Sequence, residues 1–280
     1  MACLLVWLVC LPAEASAPKR NLVFRPLEKY LRQQGVPPRQ IQTLFSSRLL
    51  IFESRLLGKM LSAKESKLNY GQFLQNSVVK KASEYRRTHR ALLADMEQKT
   101  GVPGEVVVAI IAVESGLGAY AGRWRVFNVL ASQAVLDTAR GRRLLAAKWP
   151  KKRLAELDAP ATRARFARRA AWAREELVAL LQLARHLKVP PLSLLGSPAG
   201  ALGICQFVPS SALKWGVDAD KNGKIELHLT VDAVYSVGNY LKAHGWKPGA
   251  SRKEQARVIY EYNHSQPYVH TVLELARRIR

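Results

Sequence analysis

Apolar residues recur at three- and four-residue steps along most of the chain. Within residues 22–99 the recurrence runs through Leu27, Tyr30 and Leu31, then Ile41, Leu44 and Phe45, then residues 49–57, punctuated by Pro37-Pro38 and Gly71. That is the period of helices burying one stripe. Gly101-Val102-Pro103-Gly104 reads as a turn. The run 106–113 is apolar at every position, so periodicity alone leaves it between a buried strand and a buried helix. Glu105 near its start and Gly116 past its end favour helix. Farther on, Phe166, Ala170, Leu177, Leu180, Leu181 and Ala184 fall along one helical face within residues 148–188, and Pro190-Pro191 ends the tract. Residues 196–203 form a Gly/Ala/Ser/Pro loop and residues 218–226 a short acidic loop, while 231–243 and 253–280 read as two further helical stretches. Period-two alternation is scarce and no internal repeat is present. The pattern predicts a mainly α-helical protein.

Composition adds three constraints. At 280 residues with 48% hydrophobic content, the chain is long enough for a substantial core. Residues 1–15 carry an apolar run from Cys3 to Leu11, then Pro12 and the small-x-small triplet Ala13-Glu14-Ala15, the pattern of a secretory signal peptide although no Lys or Arg precedes the run. Cleavage there removes Cys3 and Cys10 and leaves only Cys205, so no internal disulfide is expected and a secreted or periplasmic protein must hold together by packing. Lys and Arg number 44 against 21 acidic residues, and loss of Glu14 with the signal leaves 44 against 20, a balance of +24. A surface this basic suits a polyanion. For an exported chain, wall polymers or anionic lipid heads are nearer partners than nucleic acid, for which no binding motif is present. The arginines of the 148–188 tract (Arg163, Arg165, Arg168, Arg169, Arg174) lie mostly off its apolar face, either as a solvated flank or as a docking face.

Two constellations carry candidate chemistry. Glu114 closes the apolar run and precedes Ser115-Gly116-Leu117-Gly118. A carboxyl there is penalised when ionised, by apolar surroundings and by the negative end of a helix dipole, so its pKa should rise toward the range of a general acid. Alternatively it turns outward to solvent. Asp218, Asp220 and Asn222, with Gly223 at the sixth position and the Lys224 carbonyl at the seventh, match the first half of an EF-hand calcium loop. Leu229 stands where the usual Glu would be, and Asp232 is the nearest substitute, so the choice is between a lengthened metal loop and an Asx-rich turn. Cys205 paired with His264 is the weaker nucleophile scheme, since Ile204 and Phe207 mark a buried thiol. Gly196-Ser197-Pro198-Ala199-Gly200 lacks nucleophile-elbow spacing.

In order along the chain stand Val113-Glu114-Ser115-Gly116-Leu117-Gly118, the stretch from Gly196 to Ser211 with its Gly-Ile-Cys-Gln-Phe-Val-Pro centre, the Asp218 loop, the stretch from Ser236 to Trp246, and Tyr262-Asn263-His264-Ser265. This succession, spanning about residues 68–280, resembles the membrane-bound lytic murein transglycosylase B family. The resemblance implies a lysozyme-like catalytic core over residues 100–280, with 138–195 as an inserted basic helical region, behind an N-terminal helical region at 16–99. It implies cleavage of the β-1,4 bond of peptidoglycan glycan strands by a single acid, Glu114. The N-acetyl group of the substrate supports the developing cation, and closure by the sugar's own 6-hydroxyl gives a 1,6-anhydro product.

Site residues are implied one by one. Ser197 matches a serine near the bound sugar, and Gln206, Phe207 and Pro209 match the cleft wall. Tyr240, Tyr262, Asn263 and Tyr268 match residues lining the cleft, and Tyr70 matches a further cleft tyrosine. Asp218, Asp220, Asn222, Lys224 through its carbonyl, and Asp232 match a structural calcium loop. Cys205 and Leu202 stand where the family commonly has proline and methionine. A muramidase that hydrolyses the same bond with water, and a non-catalytic wall-binding protein, remain the alternatives.

Overall fold

The structure, a computed structural model, describes residues 22–62 and 69–280; the expected signal segment 1–15 lies outside them. Thirteen α-helices are described: α1 (Arg25–Gln33), α2 (Pro38–Ser46), α3 (Ser54–Ser62), α4 (Asn76–Thr88), α5 (Arg90–Thr100), α6 (Gly104–Ser115), α7 (Val126–Gln133), α8 (Ala139–Ala146), α9 (Pro160–Leu187), α10 (Pro209–Trp215), α11 (Thr230–Ala243), α12 (Arg252–Tyr262) and α13 (Gln266–Arg278). The protein is mainly α-helical, as the periodicity predicts. Among the described residues no helix is long and apolar enough to cross a membrane.

The ambiguous run 106–113 is helix, and it forms the axis of the fold. Every residue of α6 except Val113 and Glu114 is buried. A helix apolar on all sides has to be enclosed, and α4, α5, α11 and α13 pack around it. It ends as the glycine predicts, with Gly116 in the left-handed region at φ 58° and its amide bonded to the Ala112 carbonyl.

The stripe read along residues 166–184 is buried throughout and belongs to α9, 28 residues and roughly 42 Å long at helical rise. It packs against α7 and α10. Its N-terminal half joins a smaller core of Leu57, Leu136, Leu145, Trp149, Leu157 and Phe166. Of the arginines predicted off this face, Arg163, Arg165 and Arg168 are exposed. Arg169 instead donates to Gln133 Oε1 at 2.6 Å and Arg174 to Asp137 Oδ2 at 2.6 Å.

Two expectations need correction. The stretch 253–280 is not one helix: it breaks at Asn263, which is extended at φ −149°, and restarts at Ser265, whose hydroxyl accepts from the Tyr268 amide. Pro267 in the first turn of α13 explains the break, since it lacks the amide to continue α12. The 196–203 loop also contains sheet: Leu195–Gly196 pairs antiparallel with Trp124–Arg125, and Leu202 bridges Gly196 and Phe207. These pairings are too short to show as alternation.

Glu176 on α9 is 4% exposed and accepts from both the amide and the hydroxyl of Ser210 at 2.9 and 2.7 Å, tying α10 to α9. Glu176→Ala should lower stability by about 1–3 kcal/mol, the cost of stranding such partners. Urea unfolding with the slope unchanged checks this; a midpoint equal to that of the parent chain would show the tie to be dispensable.

Candidate active site

The apolar helix α6 delivers Glu114 to a point where coverage stops. Glu114 keeps partial exposure, yet desolvation by the surrounding protein pushes its pKa up to about 7, against a smaller lowering by the hydrogen bond from Tyr268. That bond is 2.7 Å, from Tyr268 Oη to Glu114 Oε1. Tyr268 is itself buried, with a pKa well above the usual phenol range through burial and the nearby Glu114 charge, so it stays a donor. No other carboxylate contributes to the Glu114 shift.

The chain turns sharply after the acid. Gly116, Leu117 and Gly118 take φ of 58°, 62° and 92° in succession; Leu117 is held in a conformation unfavourable to a side chain by roughly 1–2 kcal/mol. Ser115 fixes this turn. Its hydroxyl donates to the Ile204 carbonyl at 2.7 Å and accepts from the Gly118 amide at 3.0 Å, joining the end of α6 to the facing wall.

That wall is the tight hairpin from Leu202 to Phe207, closed by the Leu202 amide on the Phe207 carbonyl at 2.7 Å and by its reciprocal at 3.1 Å. Gln206 sits at its turn with φ 53°. Its side-chain amide donates to the Gly203 carbonyl at 2.7 Å and to Ala121 at 3.2 Å. Phe207 is buried against the rings of Tyr240 and Tyr262, at centroid distances of 5.6 and 5.9 Å. Pro209 is buried and opens α10.

The predicted tyrosines do different things. Tyr262 donates to the Cys205 carbonyl at 2.6 Å, and Tyr240, 8% exposed, donates to the Glu261 carbonyl at 2.7 Å and stacks on His244 at 3.9 Å. Their hydroxyls are committed to the backbone, so they build the wall. Tyr70 is half-buried and meets Tyr268 edge to face at 6.5 Å, joining the same cluster from the N-terminal region. Asn263 is half-buried beside Tyr262 in sequence, at the break between α12 and α13. The Ser197 hydroxyl accepts from the amides of Ala199 and Ala201 and so closes its own loop. No hydrogen bond of the described residues links Ser197 to Glu114. Gly122 brings the segment after Glu114 against that loop: a β-carbon there would lie 2.0 Å from the Gly196 carbonyl carbon.

Ser115 and Glu176 are contributors that sequence reasoning left without a role. Ser115 stands inside the quoted Glu-Ser motif. Glu176 gave no signal, as a charge on a basic helix reads as surface. Cys205 is fully buried with its thiol pushed up to about 12, chiefly by desolvation, and His264 is exposed, so no Cys–His pair forms. A cavity of about 410 Å³ borders the wall at Ala121, Gly122 and Gly203 but does not include Glu114, and the candidate chemistry lies with the acid.

In the acidic loop, Asp218, Asp220 and Asp232 place carboxylate oxygens within 4.8 Å of one another. Gly223 at φ 85° permits the turn; its amide donates to Asp218 at 2.8 Å. Asp232 is fully buried and holds both flanks, accepting from Ala219 at 2.9 Å and Glu226 at 2.7 Å. Burial raises its pKa, with a further upward push from Asp220 and Asp218, while those two amides pull it down. Among the described residues none of the three makes an ion pair. Three carboxylates this close repel unless a cation joins them, and an all-oxygen set fits a hard divalent ion. The Asn222 oxygen accepts from the Lys224 amide at 2.9 Å, and its nitrogen faces Asp220 and Glu226, each at 3.1 Å.

Over 152 residues the chain is 38% identical to membrane-bound lytic murein transglycosylase B of Escherichia coli (strain K12); the aligned stretch covers 54% of this chain and 34% of that protein, about a third of its length. The fold is similar to that of the soluble lytic transglycosylase SltB1 from Pseudomonas aeruginosa, with a TM-score of 0.72 and 25% identity over 92% of this chain and 98% of the other. It is also similar to Escherichia coli lytic transglycosylase Slt35, solved in complex with calcium, with a TM-score of 0.72 and 24% identity over 93% of each chain. With residues 21–258 matching the family described as the transglycosylase SLT domain, the chain belongs to that family.

Proposed function

We propose that this protein is a lytic murein transglycosylase. It cleaves the β-1,4 bond between N-acetylmuramic acid and N-acetylglucosamine in peptidoglycan strands and leaves a 1,6-anhydromuramic acid end. The observation that carries this reading is a single, partly exposed carboxyl with a pKa of about 7, perturbed by burial and one tyrosine and by no second carboxylate. Hydrolases of such bonds use two carboxyl groups, held about 5–9.5 Å apart. One acid suffices when the nucleophile belongs to the substrate. Glu114 protonates the glycosidic oxygen as the bond breaks, the substrate's N-acetyl oxygen supports the cation, and Glu114, now ionised, takes the proton of the 6-hydroxyl as the ring closes. Tyr268 holds the carboxyl in place through both halves. Tyr70 and the wall built by Gln206, Phe207, Pro209, Tyr240 and Tyr262 orient the glycan, with Ser197 and Asn263 at its margins.

A structural calcium ion, held by Asp218, Asp220 and Asp232 with the Lys224 carbonyl and the Asn222 side chain, would neutralise the acidic loop. The protein acts as a monomer in the cell envelope, secreted or periplasmic, on a substrate found there. Its basic surface faces anionic wall polymers or lipid heads, and nucleic acid is not a partner.

Glu114→Gln should lower turnover of murein by about 10²- to 10⁴-fold with folding intact. Mass spectrometry of the parent digest should show muramic acid ends one water lighter than reducing ends. Ordinary reducing ends would identify a muramidase, and unchanged turnover in Glu114→Gln would reject catalysis by this residue.

The acid has to be protonated to start the reaction, so product release should fall as pH rises through about 7. The Tyr268 bond lowers the Glu114 pKa, so Tyr268→Phe should move this alkaline limb to higher pH while slowing the reaction. A pH–rate profile on both proteins checks the direction.

Calcium at a hundredfold excess over its Kd should stabilise the fold by about 2.7 kcal/mol. A chelator should therefore lower the melting temperature, and Asp232→Asn should abolish that response. A chelator-insensitive melt would leave the loop an Asx-rich turn.

A further inference from the structure

At the end of α6 opposite Glu114, a cavity of about 460 Å³ opens between the α4–α5 corner and the C-terminal residues, and four of its lining side chains are arginines: Arg86, Arg87, Arg90 and Arg280. The acids in the same lining are already engaged. Glu97 accepts from the Gly104 amide at 3.1 Å, and Glu105, with 11% of its side chain exposed, pairs with Arg280 at 3.1 Å. The Gly104 amide that opens α6 is thus taken by Glu97, and the affinity argued here rests on side chains. Arg87 reaches Glu84 only at 3.9 Å, with both side chains more than 60% exposed, a pair that solvent screens almost completely. Arg86 and Arg90 have no acidic partner among the described residues. Four guanidinium groups face this cavity against two carboxylates, Glu97 and Glu105, so the lining keeps an excess of two positive charges, and three of the guanidinium groups fall within five residues.

We infer that this cavity is a phosphate-binding site, taking the phosphate group of a phosphate ester through Arg86, Arg87 and Arg90. Guanidinium forks match phosphate oxygens two at a time, and a doubly charged phosphate meets several such forks better than a single carboxylate does. The volume exceeds what a bare phosphate fills, leaving room for part of the alcohol that carries it. Glycerol phosphate units of a wall polymer and phospholipid headgroups share this chemistry. Glu105 and Glu114 stand nine residues apart on α6, roughly 13 Å along its axis, so the site is separate from the acid and independent of the proposed cleavage.

The test is a calorimetric titration of the full chain with glycerol 3-phosphate at low salt, repeated on Arg86→Gln/Arg90→Gln and on Arg163→Gln/Arg168→Gln, a control removing the same charge from exposed positions on α9. Saturable binding, at least tenfold weaker in the pocket variant and unchanged in the control, is the expected result. Because Arg86 is half-buried, Arg90→Gln alone, at an exposed position, is the second variant and should weaken binding several-fold with an unaltered melting temperature. Sedimentation with phosphatidylglycerol vesicles against phosphatidylcholine vesicles then separates the sources. Pelleting that the pocket variant loses assigns the phosphate to a lipid, and glycerol 3-phosphate binding without pelleting assigns it to a soluble or polymer-borne ester. Equal weakening in pocket variant and control, or no saturable binding to the parent chain, overturns the proposal. Turnover of soluble glycan fragments should be the same in all four proteins.

Discussion

A helix with no polar face governs this structure. Residues 106–112 of α6 give water nothing to solvate, so α4, α5, α11 and α13 close around them and the core forms there. Enclosure cannot be complete, because the chain has to leave the helix, and it leaves through the left-handed turn at Gly116, Leu117 and Gly118. Glu114 sits where these two demands meet. The packing that stabilises the core removes water from the carboxyl, and the exit of the chain leaves one side of it open. Its high proton affinity is therefore a consequence of the fold's main driving force and needs no separate device.

A carboxyl in such surroundings is useful only if the facing wall is equally fixed. The wall achieves this with backbone carbonyls as anchors: Tyr262 on Cys205, Gln206 on Gly203 and Ala121, Ser115 on Ile204. From behind, Glu176 grips the first turn of α10 through Ser210. The bonds from Tyr262, from Ser115 and from Gln206 to Ala121 join the hairpin to other parts of the chain, so it does not shift without breaking several. Rigidity of this sort would keep a bound group within the narrow tolerance that the proposed proton transfer requires. It also explains why aromatic residues gather here without free hydroxyls: they supply ring faces and hold the frame.

What could be read from the sequence was local and periodic. The buried stripe of α9, the glycine stop of α6 and the raised pKa of Glu114 each follow from neighbours within a few residues. The break at Asn263 was missed because apolar spacing continues across it, and Pro267 alone had to signal the restart. The Leu195–Gly196 pairing with Trp124–Arg125 joins residues about seventy positions apart through two-residue strands, too short to leave a period. Hydrogen-bond destinations were out of reach for the same reason. Resemblance put Tyr240, Tyr262 and Tyr268 in one group, whereas only Tyr268 turns its hydroxyl on the acid. Glu176 was invisible because its burial depends on α10, more than thirty residues away.

The balance at Glu114 bears on which chemistry the site performs. Where two carboxyl groups share the work, their surroundings push the pKa values apart, one group staying protonated and the other ionised. A lone group acting first as acid and then as base has no such freedom. A pKa far above the working pH makes a reluctant donor and a good acceptor, and one far below does the reverse, so the slower half-reaction suffers at either extreme. The optimum lies between. Burial alone lifts the Glu114 carboxyl, and the Tyr268 hydroxyl, by donating to its charged form, pulls it partway back; the two leave it at about 7. Opposed influences meeting near neutrality suit the single shuttling proton of the proposed reaction, and a second carboxylate nearby would have raised the pKa further and spoiled the balance.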